Sequence, residues 1–348
     1  MLTAAALIYR ECQTLNFSEL FQVADVSLLP LTSTLSLASW LLIAGAAVKS
    51  AQVPFHTWLP QTLETPTPVS ALMHAGIVNA GGYLVIRVSP LLQLAPGALI
   101  CLALLGALTA CVAALSMLTQ NSVKKKLAYS TVAQMGFMML QCGLGAFSAA
   151  MLHIVAHSLY KAYAFLNSGN LQQQRKAMGQ APQQGFPQTM FRGRLLLSAS
   201  AVLLLYLGIT ALSGMHPLTK PGGLLLGLVM CLALTHWVNL AWQSGSRTIL
   251  MRTLAVSGLL CLSYCSSFLL VDHLVAPQVP ALVWNPSTLL TWGVTLLIAA
   301  GFGCLSLISL KLAATTRPAW MNRVYLHALN GFYIESWINQ QSGNLAKR

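Results

Sequence analysis

Charge is the scarcest commodity in this sequence. Only 7% of its 348 residues are Asp, Glu, Lys or Arg, against about 25% in an average soluble domain. So few charges cannot cover a water-soluble surface, which excludes the two soluble domains that the length alone would suggest. Acids are rarer still: Glu11, Glu19, Asp25, Glu64, Asp272 and Glu335 are all there are, and none lies in the middle of an apolar run. The sequence has no Walker motif, dinucleotide fingerprint, GxSxG elbow or metal-ligand cluster. It therefore offers no bound ATP or nicotinamide as a source of work, and an ion gradient is the natural one. The eight cysteines form no CxxC pair and mostly sit in apolar stretches, where Cys behaves as a small hydrophobe. No disulfide framework, zinc site or other cofactor is expected in this chain.

What the sequence has in abundance is apolar length. Runs of roughly spanning size, about 20 residues, occupy 31–53, 66–88, 97–119, 126–145, 148–169, 194–213, 222–242, 253–272 and 287–312. The expectation is an all-α polytopic bundle over 1–315 with nine spans, a polar cytoplasmic loop at 171–193, and a cytoplasmic or interfacial tail at 316–348. The opening MLTAAALIY is too short to cross alone and lacks the basic start and cleavage site of a signal peptide. It reads as the last turns of a helix whose beginning is missing. The net charge of +13 describes topology rather than nucleic-acid binding, because no aromatic-basic interleaving accompanies it. With the Lys124-Lys125-Lys126 loop placed in the cytoplasm, that side also collects Arg175, Lys176, Arg192, Arg194, Arg247, Arg252, Lys311, Arg317, Arg323, Lys347 and Arg348. The other side holds Arg10, Arg87 and Lys220. This positive-inside bias puts the C-terminus in the cytoplasm.

Chemistry concentrates in two stretches. In MLHIVAHSLYKAYAFL, His153, His157 and Lys161 stand four residues apart, and steps of four drift only about 40° round a helix. The three side chains form a stripe on one face. Titratable groups inside a membrane are costly to place and are candidates for ion or proton transfer. Histidine exchanges protons near neutrality, and the alternative to a relay is a structural interhelical network. The second stretch, AAVKSAQVPFHTWLPQTLETPTPVSALMHAG, places Lys49 just before Pro54, Pro60, Pro66 and Pro68. Proline breaks helices, and broken helices persist at membrane depth only beside protein or a water-filled cavity. Lys49 is thus either beside an internal cavity or a snorkelling residue at a helix end. His74 opens the next apolar run. Glu64, with His56 and Trp58, reads as interfacial and as a possible ion-pair partner for Lys49.

These residues carry a resemblance. KSAQVPFHTWLPQTLETPTPVSALMHAG, SVKKKLAYSTVAQMGFM and HIVAHSLYKAYAFLNSGN resemble, in the family's order, three blocks of the proton-translocating antiporter-type subunits of respiratory complex I and the multisubunit cation/proton antiporters. Within it, LETPTPVSALMHAGIVNAGGYL, AQMGFMMLQCGLGAFSAAMLHIVAHSLYKAYAFL and VYLHALNGFYIESW look most like the DabB branch, the membrane subunits of DAB inorganic-carbon complexes, more than like the subunit 5-like proteins. The resemblance implies a bacterial inner-membrane protein that is a transporter subunit and not itself an enzyme. The same resemblance implies that it conducts protons or another cation and works with a DabA-like zinc-binding cytoplasmic subunit similar to β-carbonic anhydrases, which would carry the zinc. It also implies a proton path through Lys49, His74, His153, His157 and Lys161. The alternative is a proton-translocating subunit of an NADH:quinone oxidoreductase or cation/proton antiporter, and a purely structural membrane anchor is a third reading. Two departures stand out. The family's chains begin with further helices, one bearing a glutamate that pairs with the lysine at the Lys49 position, so an N-terminal truncation is expected. In the second half, SGMHPLTKPGGLL offers only Lys220 where complex I subunits carry a lysine in a broken helix.

Overall fold

The computed structural model describes residues 1–17, 19–20, 33–169, 188–214, 221–275, 289–312 and 318–346. Lys220 and most of the expected 171–193 loop lie outside them. Every regular element among the described residues is helical, as an apolar chain that must satisfy its backbone inside lipid requires. The contacts divide the chain into two units. One gathers the described residues up to 169 together with the tail at 318–346, and the other comprises 188–214, 221–275 and 289–312.

The first unit contains α1 (Leu2–Cys12), α2 (Ser33–Lys49), the short α3 (Trp58–Gln61), α4 (Thr67–Ala75), α5 (Ala80–Arg87), α6 (Ser89–Leu92), α7 (Pro96–Thr119), α8 (Val123–Gly143) and α9 (Phe147–Leu166). The second contains α10 (Gln188–Leu212), α11 (Pro221–Gln243), α12 (Arg247–Val275) and α13 (Leu289–Leu312). The tail forms α14 (Ala319–Leu329) and α15 (Ile334–Ala346) and packs on the first unit.

Among the described residues, six helical stretches are long and apolar enough to cross a membrane: 67–87, 96–119, 193–212, 225–242, 247–275 and 292–309. The other three expected segments are helices of different character. The α2 helix is only 17 residues long and ends at Lys49 rather than at 53. The α8 helix opens with three lysines, and α9 carries the polar stripe. Hydropathy fails to select α8 and α9 because their charged or titratable groups offset otherwise apolar surfaces.

The tightest packing joins α7 to α8. A Cβ on Gly106 would stand 2.5 Å from the Leu140 nitrogen and 2.6 Å from the Gly136 carbonyl oxygen, and one on Gly136 would stand 2.5 Å from the Ala110 nitrogen. Small residues let membrane helices approach backbone to backbone where no hydrophobic force drives them together. Helix α9 then lies against α8, α4 and α5. Its two faces differ sharply: Leu159, Tyr163 and Leu166 point outward, while His157, Lys161 and Phe165 are buried.

Candidate functional site

The expected stripe sits on one continuous helix of 20 residues, so His153 and Lys161 are about 12 Å apart along its axis. The stripe is read by α8, which runs antiparallel beside it. Near the far end of α8, Gln141 presents Oε1 2.9 Å from His153 Nδ1. A carbonyl oxygen only accepts, so with this amide orientation Nδ1 carries the hydrogen and Nε2 remains an acceptor. Near the start of α8, Lys161 Nζ donates to Ser130 Oγ at 2.7 Å and to the Leu127 carbonyl at 3.2 Å. Lys161 is completely buried, and no carboxylate stands among its partners within the described residues.

Between these ends the imidazoles are contiguous. The His153 and His157 ring centroids lie 5.9 Å apart. His157 is 4% exposed, neither of its ring nitrogens has a hydrogen-bond partner, and it lies within electrostatic reach of His153, Lys161 and His74. His74 reaches the stripe from α4. Fully buried, it stacks on Phe165 with ring centroids 4.3 Å apart and an interplanar angle of 17°. Four of the five expected path residues therefore share one axis, with His74, His157 and Lys161 buried and His153 half-buried. Unsatisfied buried imidazole nitrogens are costly, and both ring nitrogens of His74 and of His157 are in that state.

Lys49 is the exception. It is the last residue of α2 and is exposed, the geometry of a charge at a helix end. Glu64 is likewise exposed, in the 3-10 turn Thr62–Glu64. Neither enters the axis. His56, expected at the interface, is instead only 2% exposed, because the segment after α2 folds back into the protein. The chain breaks at Lys49 as the prolines predict. Ser50 Oγ then donates to the Val78 carbonyl at 2.7 Å, Gln52 Nε2 donates to the Ser50 carbonyl at 2.9 Å, and the Val53 amide donates to Thr109 Oγ1 at 3.1 Å.

The sequence reading missed a second break. The span at 67–87 is interrupted between α4 and α5, at Gly76 to Asn79, with no proline there. Asn79 repairs it. Its Nδ2 donates to the freed Ala75 carbonyl at 2.7 Å and to Ser158 Oγ of α9 at 2.9 Å. The break puts His74 on the last turn of α4, against the stripe. The available signal was the run GIVNAGG, a helix-weakening glycine followed by an amide. Replacing Asn79 with Leu leaves the Ala75 carbonyl and Ser158 without their donor. The expected cost is about 1–3 kcal/mol, read as a lowered thermal midpoint of the detergent-solubilised protein.

The transmembrane model of the NADH:quinone oxidoreductase/Mrp antiporter family matches residues 1–242. Over 171 residues the chain is 50% identical to the "Probable inorganic carbon transporter subunit DabB2" of Halothiobacillus neapolitanus, a match covering 49% of this chain and 31% of that protein. It is 49% identical over 170 residues to a probable DabB subunit of Hydrogenovibrio crunogenus, covering 49% of this chain and 33% of the relative. It is also 44% identical over 169 residues to NADH-ubiquinone oxidoreductase chain 5 of Metridium senile, covering 48% and 28%. The matches thus span about a third of the curated relatives' length. Among solved structures, the Mrp complex from Dietzia sp. DQ12-45-1b superposes with a TM-score of 0.52 at 24% identity, covering all of this chain and 42% of that one, and so shares the fold. With the family's transmembrane region matching well over half its length, the chain belongs to the NADH:quinone oxidoreductase/Mrp antiporter membrane family.

Proposed function

We propose that this chain is the ion-conducting membrane subunit of a bacterial inorganic-carbon pump, passing protons or another cation across the inner membrane to drive a DabA-like zinc-binding partner on the cytoplasmic side. The observation that carries the reading is the axis of buried His157, His74 and Lys161 with half-buried His153, a line of exchangeable groups in a core with almost no fixed charge. Each group can take up and release a proton, and Gln141 and Ser130 hold the two ends in position. The names of the DabB relatives support inorganic carbon as the coupled cargo. The family resemblance alone supports a place for Lys49 in the path, since it lies exposed at the end of α2.

The test is rescue. A cell lacking carbonic anhydrase, given this subunit with its partner, grows in ordinary air. His157→Ala is expected to abolish that growth while the two subunits still co-purify. Undiminished growth of the variant would sink the relay reading. The alternative, a proton-translocating subunit of an NADH:quinone oxidoreductase or cation/proton antiporter, is favoured by the chain 5 relative. It predicts no rescue by the wild type and a proton yield that follows NADH oxidation or cation exchange.

A further inference from the structure

The two ends of the stripe are held by groups of different chemistry. At the Lys161 end the partner is the Ser130 hydroxyl, 2.7 Å from Nζ. A hydroxyl both accepts and donates, so a proton handed to it can be matched by one handed on. At the His153 end the partner is the Gln141 carboxamide, whose Oε1 lies 2.9 Å from Nδ1. A carboxamide oxygen accepts a hydrogen bond and does not take the proton.

Helix α8 fixes the His153 ring twice. Gln141 is 3% exposed and holds Nδ1. Phe137, one turn earlier on the same helix, lies against the ring with centroids 5.7 Å apart and an interplanar angle of 46°. Turning the ring over would leave the buried amide oxygen without its donor, which is costly. His153 is half-buried, and among the described residues no hydrogen bond reaches its Nε2.

Neutral His153 thus carries its hydrogen on Nδ1 and a lone pair on Nε2. A proton arriving at Nε2 gives the imidazolium, with Nδ1–H still donated to Gln141. Conduction straight through the ring would require Nδ1–H to pass its proton to the amide oxygen, which does not keep it. The proton therefore leaves by the Nε2–H bond through which it came, that lone pair is restored, and the bond to Gln141 persists throughout.

We propose that Gln141 is a positioning residue that pins His153 in the Nδ1–H tautomer and makes it the end carrier of the stripe, exchanging protons through Nε2 alone. The stripe is closed toward Gln141, whereas its Lys161 end meets a hydroxyl. The inference rests on the proton-conducting reading of the axis and adds what sets the route at one end.

The experiment uses the complete complex in lipid, with ring-nitrogen-labelled histidine read by solid-state NMR at neutral pH and proton flux measured in proteoliposomes. The His153 signals are those missing from His153→Asn. The expected spectrum has hydrogen on Nδ1 and none on Nε2, and the reverse assignment overturns the proposal. Gln141→Met removes the acceptor and keeps the bulk. It is expected to move hydrogen onto Nε2 in a share of the molecules and to lower flux roughly tenfold, the lower end of the loss when a group that orients a histidine is removed. His153→Asn keeps an amide N–H for Gln141 where Nδ1 stood and has nothing where Nε2 stood, so its flux should fall at least as far. Normal flux in either variant overturns the proposal. So does a fall in Gln141→Met with Nδ1 still protonated, which assigns Gln141 to packing alone. Lys161→Met in the same assay separates the two readings: if it conducts normally the proton-conducting function itself fails, while the tautomer is read from the spectrum without reference to flux.

Discussion

Replacing Lys161 with methionine is expected to abolish translocation while leaving the protein folded. The lysine is completely buried, and its nitrogen is held by two oxygens of α8. Burying an ionisable group is expensive, and well-packed apolar residues of similar volume in place of buried charges are often neutral or stabilising. The groups left behind are largely provided for, since the Leu127 carbonyl also accepts from Thr131 Oγ1 at 3.1 Å. Thermal stability should therefore hold within about 1 kcal/mol of wild type or rise. Flux should fall by about 10²-fold or more, the usual worth of a positioned proton-transfer group. Lys161→Arg is the informative companion, because guanidinium keeps the charge and does not release its proton at any accessible pH. A merely structural cation would be replaced by arginine with activity retained. A proton carrier would not. Wild-type flux in either variant removes Lys161 from the path.

The stripe was legible because four-residue spacing has a single geometric meaning on a helix, and because titratable groups are conspicuous in a chain with so few. Its partners were not. Gln141, Ser130, Asn79 and Ser158 are neutral polar residues of a kind that recurs along every span, and nothing local distinguishes the ones that face His153, Lys161 and Ala75. The break after Lys49 was announced by prolines, whereas the one at Gly76 rests on a carbonyl captured by an amide three residues past the glycine, a tertiary detail. His56, expected at the interface, is buried, and Lys49 takes the helix-end alternative of its two expected positions, for the same reason. Once α2 stops at Lys49 and Ser50 bonds to Val78, the following segment turns inward and leaves the lysine outside. Glu335 was counted among the acids that no span contains, and only the tail's docking on Gln61 and Gln120 gives it a place. Local periodicity thus identifies the line of titratable groups, and long-range packing decides what holds it.

Gly136→Leu is expected to be the most damaging substitution for the fold. At Gly136 the obstacle to a side chain is the backbone of α7, with the Ala110 nitrogen 2.5 Å from where a Cβ would stand, and at Gly106 it is the Leu140 nitrogen and the Gly136 carbonyl oxygen. Neither neighbour is a flexible side chain that could swing aside, so the two helices must separate along their length. Overpacking of this kind costs about 3 kcal/mol or more, at the upper end of its range, and in lipid no hydrophobic force draws the helices back. The damage reaches the site because α8 supplies Leu127, Ser130 and Gln141 to Lys161 and His153. A shift of about 1 Å is enough to spoil such geometry. Gly208→Ala, at a helical position with nothing within 4 Å, serves as the control and should be neutral or stabilising by up to about 1 kcal/mol through helix propensity. Thermal unfolding in detergent, with flux measured on whatever folded protein remains, tests both. If Gly136→Leu keeps the wild-type midpoint and transports normally, the close contact of α7 and α8 is not what aligns the axis.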